Sequence, residues 1–170
     1  MISKKMEKAF NDQIALEGAA SFIYLAMASW CDKEGLEGCA QFMHRQSAEE
    51  NMHMLKLYTY LSEVDGFAET PAIKQPPRTY KSVQEMFKAV YAHEQKVTAS
   101  INKLTALATK EGDQTAFNFL QWYVMEQREE ENLIRSILDK IKLIGEGPHS
   151  LYYIDKEIKA LNEEEMSKEG

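Results

Sequence analysis

Hydrophobic residues recur every three or four positions through four long stretches of the chain, and this spacing predicts four amphipathic helices. The stretches cover residues 5–33, 37–64, 83–110 and 114–144. A shorter stripe near the end of the chain predicts a fifth helix, with inward residues Leu151, Ile154, Ile158 and Leu161. We expect this helix to occupy residues 146–162 and the acidic segment 163–170 to be frayed and solvated.

The first two predicted helices and the next two repeat one another at a constant offset along the chain. Both pairs turn at the same tripeptide, Lys-Glu-Gly, at residues 33–35 and 110–112. Glycine at such a turn can take the left-handed conformation that ends a helix. At the same offset Phe10 matches Phe87 and Glu17 matches Glu94, so the repeat includes both core and polar positions. The pattern therefore predicts one helical hairpin used twice.

Residues 65–82 join the two hairpins and cannot form one helix, because they hold three of the four prolines. The segment is too long for a tight turn. A long connection lets the second hairpin enter parallel to the helix that the chain has just left. The predicted fold is an all-α antiparallel four-helix bundle with one long crossover, formed by residues 1–145, and a short fifth C-terminal helix of the same domain.

A carboxylate interrupts the apolar stripe near the middle of each predicted helix. Glu17 precedes the turn glycine Gly35 by nearly as many positions as Glu50 follows it. At about 1.5 Å of rise per residue they lie about 27 and 22 Å from the turn, which is nearly the same level. In the second hairpin, Glu94 and Gln127 stand at the same distances before and after Gly112. Two packed hairpins therefore place a polar set in one layer of the core: Glu17, Glu50, His53, Glu94, Gln127 and Glu130.

Such a layer needs protons or cations, because burial and mutual repulsion both disfavour ionised carboxylates. One imidazole with four carboxylates is a hard donor set that suits iron or manganese. Glu together with Glu-x-x-His in a helical bundle is the arrangement of di-iron carboxylate proteins. The sequence therefore predicts a two-iron site with the ligands Glu17, Glu50, His53, Glu94 and Glu130.

Length, charge and composition limit the class of protein that carries this site. A length of 170 residues suits one domain, and the net charge of −7 makes nucleic acid a poor partner. No uninterrupted apolar run is long enough for a membrane-spanning helix and the N-terminus lacks a signal-peptide pattern, so we expect no membrane span and a cytoplasmic location. Cys31 and Cys39 match no zinc spacing, and two cysteines suit a reducing compartment.

The segments around these residues resemble the bacterial non-haem ferritins over nearly the whole chain. The resemblance is carried by Glu17, Glu94 and residues 49–53, 118–123, 126–130 and 151–157. It implies the ferritin-like fold and ferroxidase activity, in which Fe(II) is oxidised with dioxygen or hydrogen peroxide. It also implies storage of Fe(III) mineral inside a hollow homo-oligomeric shell of 24 subunits.

The resemblance also implies individual roles. Glu17, Glu50 and His53 resemble the first iron site, and Glu50 is implied to bridge to the second, which Glu94 and Glu130 complete. Gln127 is implied to be a non-ligand neighbour that hydrogen-bonds bound oxygen or water. Tyr24 resembles a tyrosine beside the site, where a structural hydrogen bond and a redox role both remain open.

A third iron site is implied next to the first two. Glu126 and Glu129 each precede a residue of the two-iron face by one position, so they lie about 100° around the helix from it. Glu49 stands in the same relation to Glu50. With Glu130 shared between the sites, these carboxylates resemble the third iron site of the bacterial group. The alternative is a solvated acidic face on the interior of a shell.

Related protein classes differ from this chain at identifiable positions. Bacterioferritin has its haem-binding Met directly after the bridging Glu, whereas this chain has Asn51 there, so we expect no haem. Mini-ferritins build their iron site between subunits and usually lack the fifth helix. Rubrerythrin-like proteins carry a Cys-x-x-Cys domain that is absent here. A shell subunit with a broken site would lack one of the five ligands, and all five are present.

Several other polar and aromatic residues receive ordinary structural interpretations. His44, His93 and His149 lie out of phase with the two-iron face or at a helix start, so we expect them at the surface or at an interface. Trp122 and Tyr123 are interpreted as packing residues, with electron transfer as the alternative.

Overall fold

The computed structural model describes residues 2–169, with the side chains of residues 2–167. Its five helices are α1 (Lys4–Lys33), α2 (Glu37–Glu63), α3 (Val83–Glu111), α4 (Gln114–Ile144) and α5 (Ser150–Glu169). There is no strand between residues 2 and 169, so the predicted all-α fold is confirmed, and the four long helices agree with the predicted ranges to within one residue. Met1 and Gly170, the predicted outer limits of the domain and of the tail, lie outside the described residues.

The ends of the long helices follow from local sequence. Ser3, Ser82 and Asp113 each accept a hydrogen bond from a backbone N–H in the first turn of α1, α3 and α4, at 2.9–3.1 Å, as helix-capping side chains do. The turn glycines Gly35 and Gly112 have φ of 74° and 69°. These values lie in the left-handed region that ends a helix at low cost only for glycine, so the predicted turns are confirmed.

The fifth helix is longer than predicted. It begins at Ser150 and continues to Glu169, so the expectation of a helix ending at residue 162 and of frayed backbone beyond it was wrong. Residues 163–169 contain no glycine or proline, and Glu, Met and Lys are good helix formers. Most side chains of residues 163–167 are exposed, so this part of the helix is solvated as expected.

The bundle core is divided into two hydrophobic clusters with the polar layer between them. One cluster includes Tyr24, Phe42 and Phe87, and the other includes Phe10 and Leu120. The α5 helix adds Ile154 and Ile158 to the first cluster, whereas Leu151 is 57% exposed and lies outside it. Since α5 packs on α2 and α4 of its own bundle, it belongs to the same structural unit as the four long helices.

Helix α1 is long and apolar enough to cross a membrane when judged by length and composition alone, with a mean hydropathy of 1.4 over its most apolar 18 residues. Of that stretch, 56% is buried inside the bundle. The helix also carries the fully buried Glu17 on its inner face. A buried carboxylate and bundle packing are features of a core helix, and a core helix passes the same composition test.

Candidate metal centre

All four long helices contribute to the polar layer predicted from the sequence. Glu17 lies on α1, Glu50 and His53 on α2, Glu94 on α3, and Gln127 and Glu130 on α4. All six side chains are buried, the most exposed being Glu130 at 8%. The layer sits between the two hydrophobic clusters, so water reaches it poorly and charge in it is costly unless a partner is present.

The tightest group in the layer consists of Glu17, Glu50 and His53. One ligand atom of each lies within 4.8 Å of the others, close enough to hold one metal ion. The His53 Nδ1 atom is 3.4 Å from Oε2 of Glu50. On the other side, Gln13 Nε2 donates a hydrogen bond to Oε1 of Glu17 at 2.8 Å, which orients that carboxylate.

Glu94 and Glu130 complete the layer, but hydrogen bonds within the protein hold both carboxylates. Glu94 accepts from the Tyr24 hydroxyl at one oxygen and from Gln127 Nε2, at 3.1 Å, at the other. Glu130 Oε2 accepts from Gln46 Nε2 at 3.0 Å. All five predicted ligands therefore share one layer, whereas only the first three have ligand atoms drawn together.

Electrostatics makes the layer a strong candidate for cation binding. Burial raises the pKa of Glu17, Glu50 and Glu130 well above the ordinary value, and repulsion from neighbouring carboxylates raises these pKa values further. Burial also raises the pKa of Glu94, although hydrogen bonds from Tyr24 and Gln127 oppose the shift. Without a cation the layer therefore retains protons that a metal ion would displace.

Glu50 receives the fewest hydrogen bonds from the protein among the carboxylates of the layer. Apart from the neighbouring carboxyl group of Glu17, no side chain between residues 2 and 167 offers a hydrogen bond to either oxygen of Glu50. A buried carboxylate without donors is costly, and such groups in native structures call for an explanation. Two carboxylate oxygens at the centre of the layer without such a donor fit a ligand that faces two metal ions.

Comparison with known proteins identifies the family. The family model described as "Ferritin-like domain" matches residues 7–144. The chain belongs to the ferritin family. A probable bacterial non-heme ferritin-like protein of Haemophilus influenzae is 47% identical and covers 93% of this chain and 96% of its own. The bacterial non-heme ferritin of Campylobacter jejuni is 46% identical, with 94% and 95% covered.

Solved structures of the ferritin family agree with this assignment. A crystal structure of an open pore ferritin from Archaeoglobus fulgidus superposes with a TM-score of 0.90 at 42% identity. The match covers 93% of this chain and 96% of that one. The resemblance to bacterial non-haem ferritins that the sequence carried is therefore confirmed, together with the four-helix bundle.

Aromatic residues of this ferritin chain pack around the metal layer. Tyr24 is fully buried and its hydroxyl donates a hydrogen bond to Glu94. Tyr123 donates its hydroxyl to the backbone carbonyl of His53 at 2.7 Å, and the Trp122 ring meets the His53 imidazole edge-on at 5.3 Å. Tyr123 therefore contacts the backbone of His53, and Trp122 packs against its ring.

Two of the histidines expected at the surface differ in their surroundings. His44 is exposed, as expected, and its Nε2 lies 3.7 Å from a carboxylate oxygen of Asp32. His93 is partly buried and meets the Tyr24 ring edge-on at 6.0 Å. Burial lowers the pKa of His93 to about 4, so it is a neutral packing partner of Tyr24 rather than an exposed residue.

The carboxylates of the implied third iron site lie beside this layer with different exposures. Glu49 and Glu126 are partly buried, and repulsion from both contributes to the raised pKa of Glu130. Glu129 is exposed. The structure therefore brings Glu49 and Glu126 towards Glu130 and leaves Glu129 at the solvent side.

Sequence reasoning missed three polar side chains at this ferritin site. Gln13 and Gln46 each precede a predicted ligand by four positions, and that spacing on the polar stripe could have identified them. Arg45 forms an ion pair with Glu49 at 2.6 Å, and the i, i+4 spacing of opposite charges was the available signal. Its contact with Asn162 spans 117 residues and could not be read from the sequence.

Proposed function

We propose that this chain is a ferroxidase subunit that oxidises Fe(II) and stores the product as Fe(III) mineral. The observation that carries the proposal is that ligand atoms of the buried residues Glu17, Glu50 and His53 lie close together. Apart from the Glu17 carboxyl group, both Glu50 oxygens also lack a hydrogen-bond donor among the described side chains of the protein. Membership of the ferritin family supports the same function. Fe(II) is the substrate in this reaction, and the layer is its binding site.

The donor set fits two ferrous ions side by side. Glu17, Glu50 and His53 would hold one ion, and Glu50, Glu94 and Glu130 the other, with Glu50 between them. Binding requires the carboxylates to lose the protons that burial makes them retain, so iron uptake is coupled to proton release. Gln46 and Gln127 donate to Glu130 and Glu94, which orients these ligands as the charge of the site changes.

The reaction balances with the substrates alone. Two Fe(II) ions each give up one electron, and one dioxygen molecule takes both electrons and two protons to form hydrogen peroxide. Hydrogen peroxide can serve as the oxidant in place of dioxygen, and it then accepts two electrons and two protons to form water. Anionic carboxylates stabilise the extra positive charge of Fe(III), which favours oxidation in this layer.

We further propose that the chain acts in a cytoplasmic homo-oligomeric shell, which we expect to contain 24 subunits without haem. The expectation about haem rests on Asn51, which stands at the position after Glu50 where a haem-binding Met would be needed. A shell is supported by the relatives, one of which is described as an open pore ferritin. Light scattering and an absorption spectrum test both expectations, and a stable monomer or a stoichiometric Soret band would contradict them.

An anaerobic Fe(II) titration followed by rapid mixing with oxygen tests the ferroxidase proposal. We expect fast oxidation of two Fe(II) ions per chain in the unmodified protein. Glu50→Gln and His53→Ala should slow this phase by about a hundredfold or more, because even neighbours of metal ligands cost about 10–100-fold when changed.

Glu85→Gln is the matched control for these variants. Glu85 is a carboxylate on α3 that is exposed and pairs only with Lys88 in the described contacts. Its substitution should leave the fast phase unchanged. Unmodified rates in Glu50→Gln would contradict the assignment of the site.

A further inference from the structure

Arg45 joins the metal layer to the fifth helix. Its side chain is only 12% exposed. Its Nη1 donates to Oε1 of Glu49 at 2.6 Å, its Nη2 to Oε1 of Gln46 at 3.3 Å, and its Nε to Oδ1 of Asn162 at 2.8 Å. Asn162 lies on α5 and is itself buried, at 4% exposure. One guanidinium group therefore contacts side chains of two helices.

Two of the hydrogen bonds form a path to the iron ligands. Gln46 accepts from Arg45 through its oxygen and donates through its nitrogen to Oε2 of Glu130, at 3.0 Å. The charge of Arg45 also lowers the pKa of Glu130, against the effects of burial and of Glu94, Glu49 and Glu126. Arg45 is therefore a cation held directly by Glu49 and indirectly by Glu130, two carboxylates of the implied third iron site.

We propose that the Arg45 guanidinium acts as an internal counter-ion for the Glu49 and Glu130 carboxylates, and that a third metal ion binds there only by displacing it. This inference rests on the proposed function, because it assumes that metal binds the adjacent two-iron layer. In this role Arg45 is a positioning residue that sets the affinity of the third site. Asn162 couples that affinity to the docking of α5.

Displacement follows from the charge of the two cations. Guanidinium groups in proteins are cations, so a metal ion arriving at this site would meet a positive charge. A metal ion on Glu49 beside an unmoved Arg45 would bring two positive charges together in a site with little water. Arg45 must therefore leave the Glu49 oxygen, and the hydrogen bond to Asn162 is one of the contacts that hold it in place.

Metal binding to Arg45→Gln tests the inference directly. Zn(II) is the probe because it undergoes no redox change, and calorimetry counts its sites and their affinities. We expect the third site to tighten by about tenfold or more and the site of Glu17, Glu50 and His53 to keep its affinity. The layer site completed by Glu130 should change by a smaller factor, because it shares that carboxylate with the third site. Tenfold corresponds to about 1.4 kcal/mol, which is the order of the charge-assisted hydrogen bond that the metal no longer has to break.

A higher Zn(II) affinity of the third site distinguishes displacement of Arg45 from structural damage. Damage would lower the metal affinities or leave them unchanged. Arg78→Gln removes the same charge from an exposed position on the crossover and should leave all three affinities unchanged. Asn162→Ala keeps Arg45 but removes one of the hydrogen bonds that hold it, so the third site should tighten by a smaller factor. It also provides a second variant if Arg45→Gln does not fold.

A crystal structure of the unmodified protein with Zn(II) gives an independent readout. We expect the guanidinium of Arg45 to move away from Glu49 when the third site is filled. The inference is overturned if Arg45→Gln and Asn162→Ala leave the third affinity unchanged or weaken it, or if Arg45 stays on Glu49 beside a bound ion. Failure of the two sites of the layer to bind metal in the unmodified protein would instead overturn the proposed function.

Discussion

Asp155 of α5 caps the start of α2, since its Oδ1 atom accepts a hydrogen bond from the backbone N–H of Cys39 at 2.8 Å. Its Oδ2 atom accepts from the backbone N–H of Gly38 at 3.0 Å. The residue at the N-cap position of α2 is Leu36, which has no side chain that can cap. A residue more than a hundred positions away in the sequence therefore satisfies backbone donors that the local sequence leaves open.

Asp155→Ala should destabilise the protein by about 1–2 kcal/mol, because it removes a charged helix cap. Denaturant unfolding of the metal-free protein measures the change. Asp12→Ala is the control, since Asp12 is an exposed residue that pairs with Lys8 on the surface of α1. We expect the control to change stability by less than about 0.5 kcal/mol. Equal effects of the two substitutions would contradict the capping role.

Gly38→Ala should displace α5 from the bundle. A Cβ atom at Gly38 would lie 2.3 Å from the backbone oxygen of Asp155 and 2.8 Å from Cβ of Lys159. Overpacking of this kind costs about 1–3 kcal/mol, which outweighs the gain of up to about 1 kcal/mol from replacing glycine in a helix. Hydrogen exchange should report faster exchange along α5.

Gly147→Ala is the matched control for Gly38→Ala. Its added Cβ would come no closer than 3.5 Å to the Ser150 Oγ atom. Exchange along α5 should therefore remain as in the unmodified protein. If Gly38→Ala also leaves α5 protected, the close packing of α2 against α5 is wrong.

The metal-free protein should become more stable as the pH falls from 8 to 5. The pKa values of Glu17, Glu50 and Glu130 are raised well above the ordinary value by burial and repulsion, so these three groups bind more protons in the folded than in the unfolded state. His93, whose pKa burial lowers to about 4, opposes this with one proton below pH 6.5 and is outweighed by the three carboxyl groups. Stability then decreases as the pH rises from the unfolded pKa through the folded pKa. Thermal unfolding at several pH values measures this slope.

Glu50→Gln should reduce that slope and stabilise the metal-free protein at pH 8, because it removes one charge from the crowded layer. Glu85→Gln should not reduce it, because hydrogen bonding and attraction by Lys88 lower the pKa of Glu85. Saturating Zn(II) should reverse the trend, since metal competes with protons for the same carboxylates. A metal-free protein that loses stability as the pH falls from 8 to 5 would contradict the raised pKa values.

Glu49→Ala and Glu126→Ala should leave the first fast oxidation of two Fe(II) ions intact. Both residues lie beside the layer and contribute no atom to the convergence of Glu17, Glu50 and His53. We expect changes in the number of irons oxidised per dioxygen and in later turnovers, measured by oxygen consumption and stopped-flow absorbance. If Glu49→Ala slows the first turnover as severely as Glu50→Gln, the division into two sites is wrong.

The sequence by itself determined the helices, the hairpin repeat and the level of the polar layer. These features depend on local rules: apolar residues at helical spacing, glycines that tolerate positive φ, and a fixed rise per residue. Glu17 and Glu50 could be placed at one height because each is counted along a helix from the same turn. Nothing about the packing of distant segments was needed for that inference.

Only the tertiary structure decided which side chains hold the ligands and how α5 docks. Arg45 and Asn162 meet across a separation of 117 residues, and so do Gly38 and Asp155. Such pairs depend on the face that α5 presents to α2, and a weakly amphipathic helix leaves several faces open. Helical periodicity predicts which face of its helix a residue occupies. It does not predict which residue of another helix that face meets, because this depends on how the helices pack.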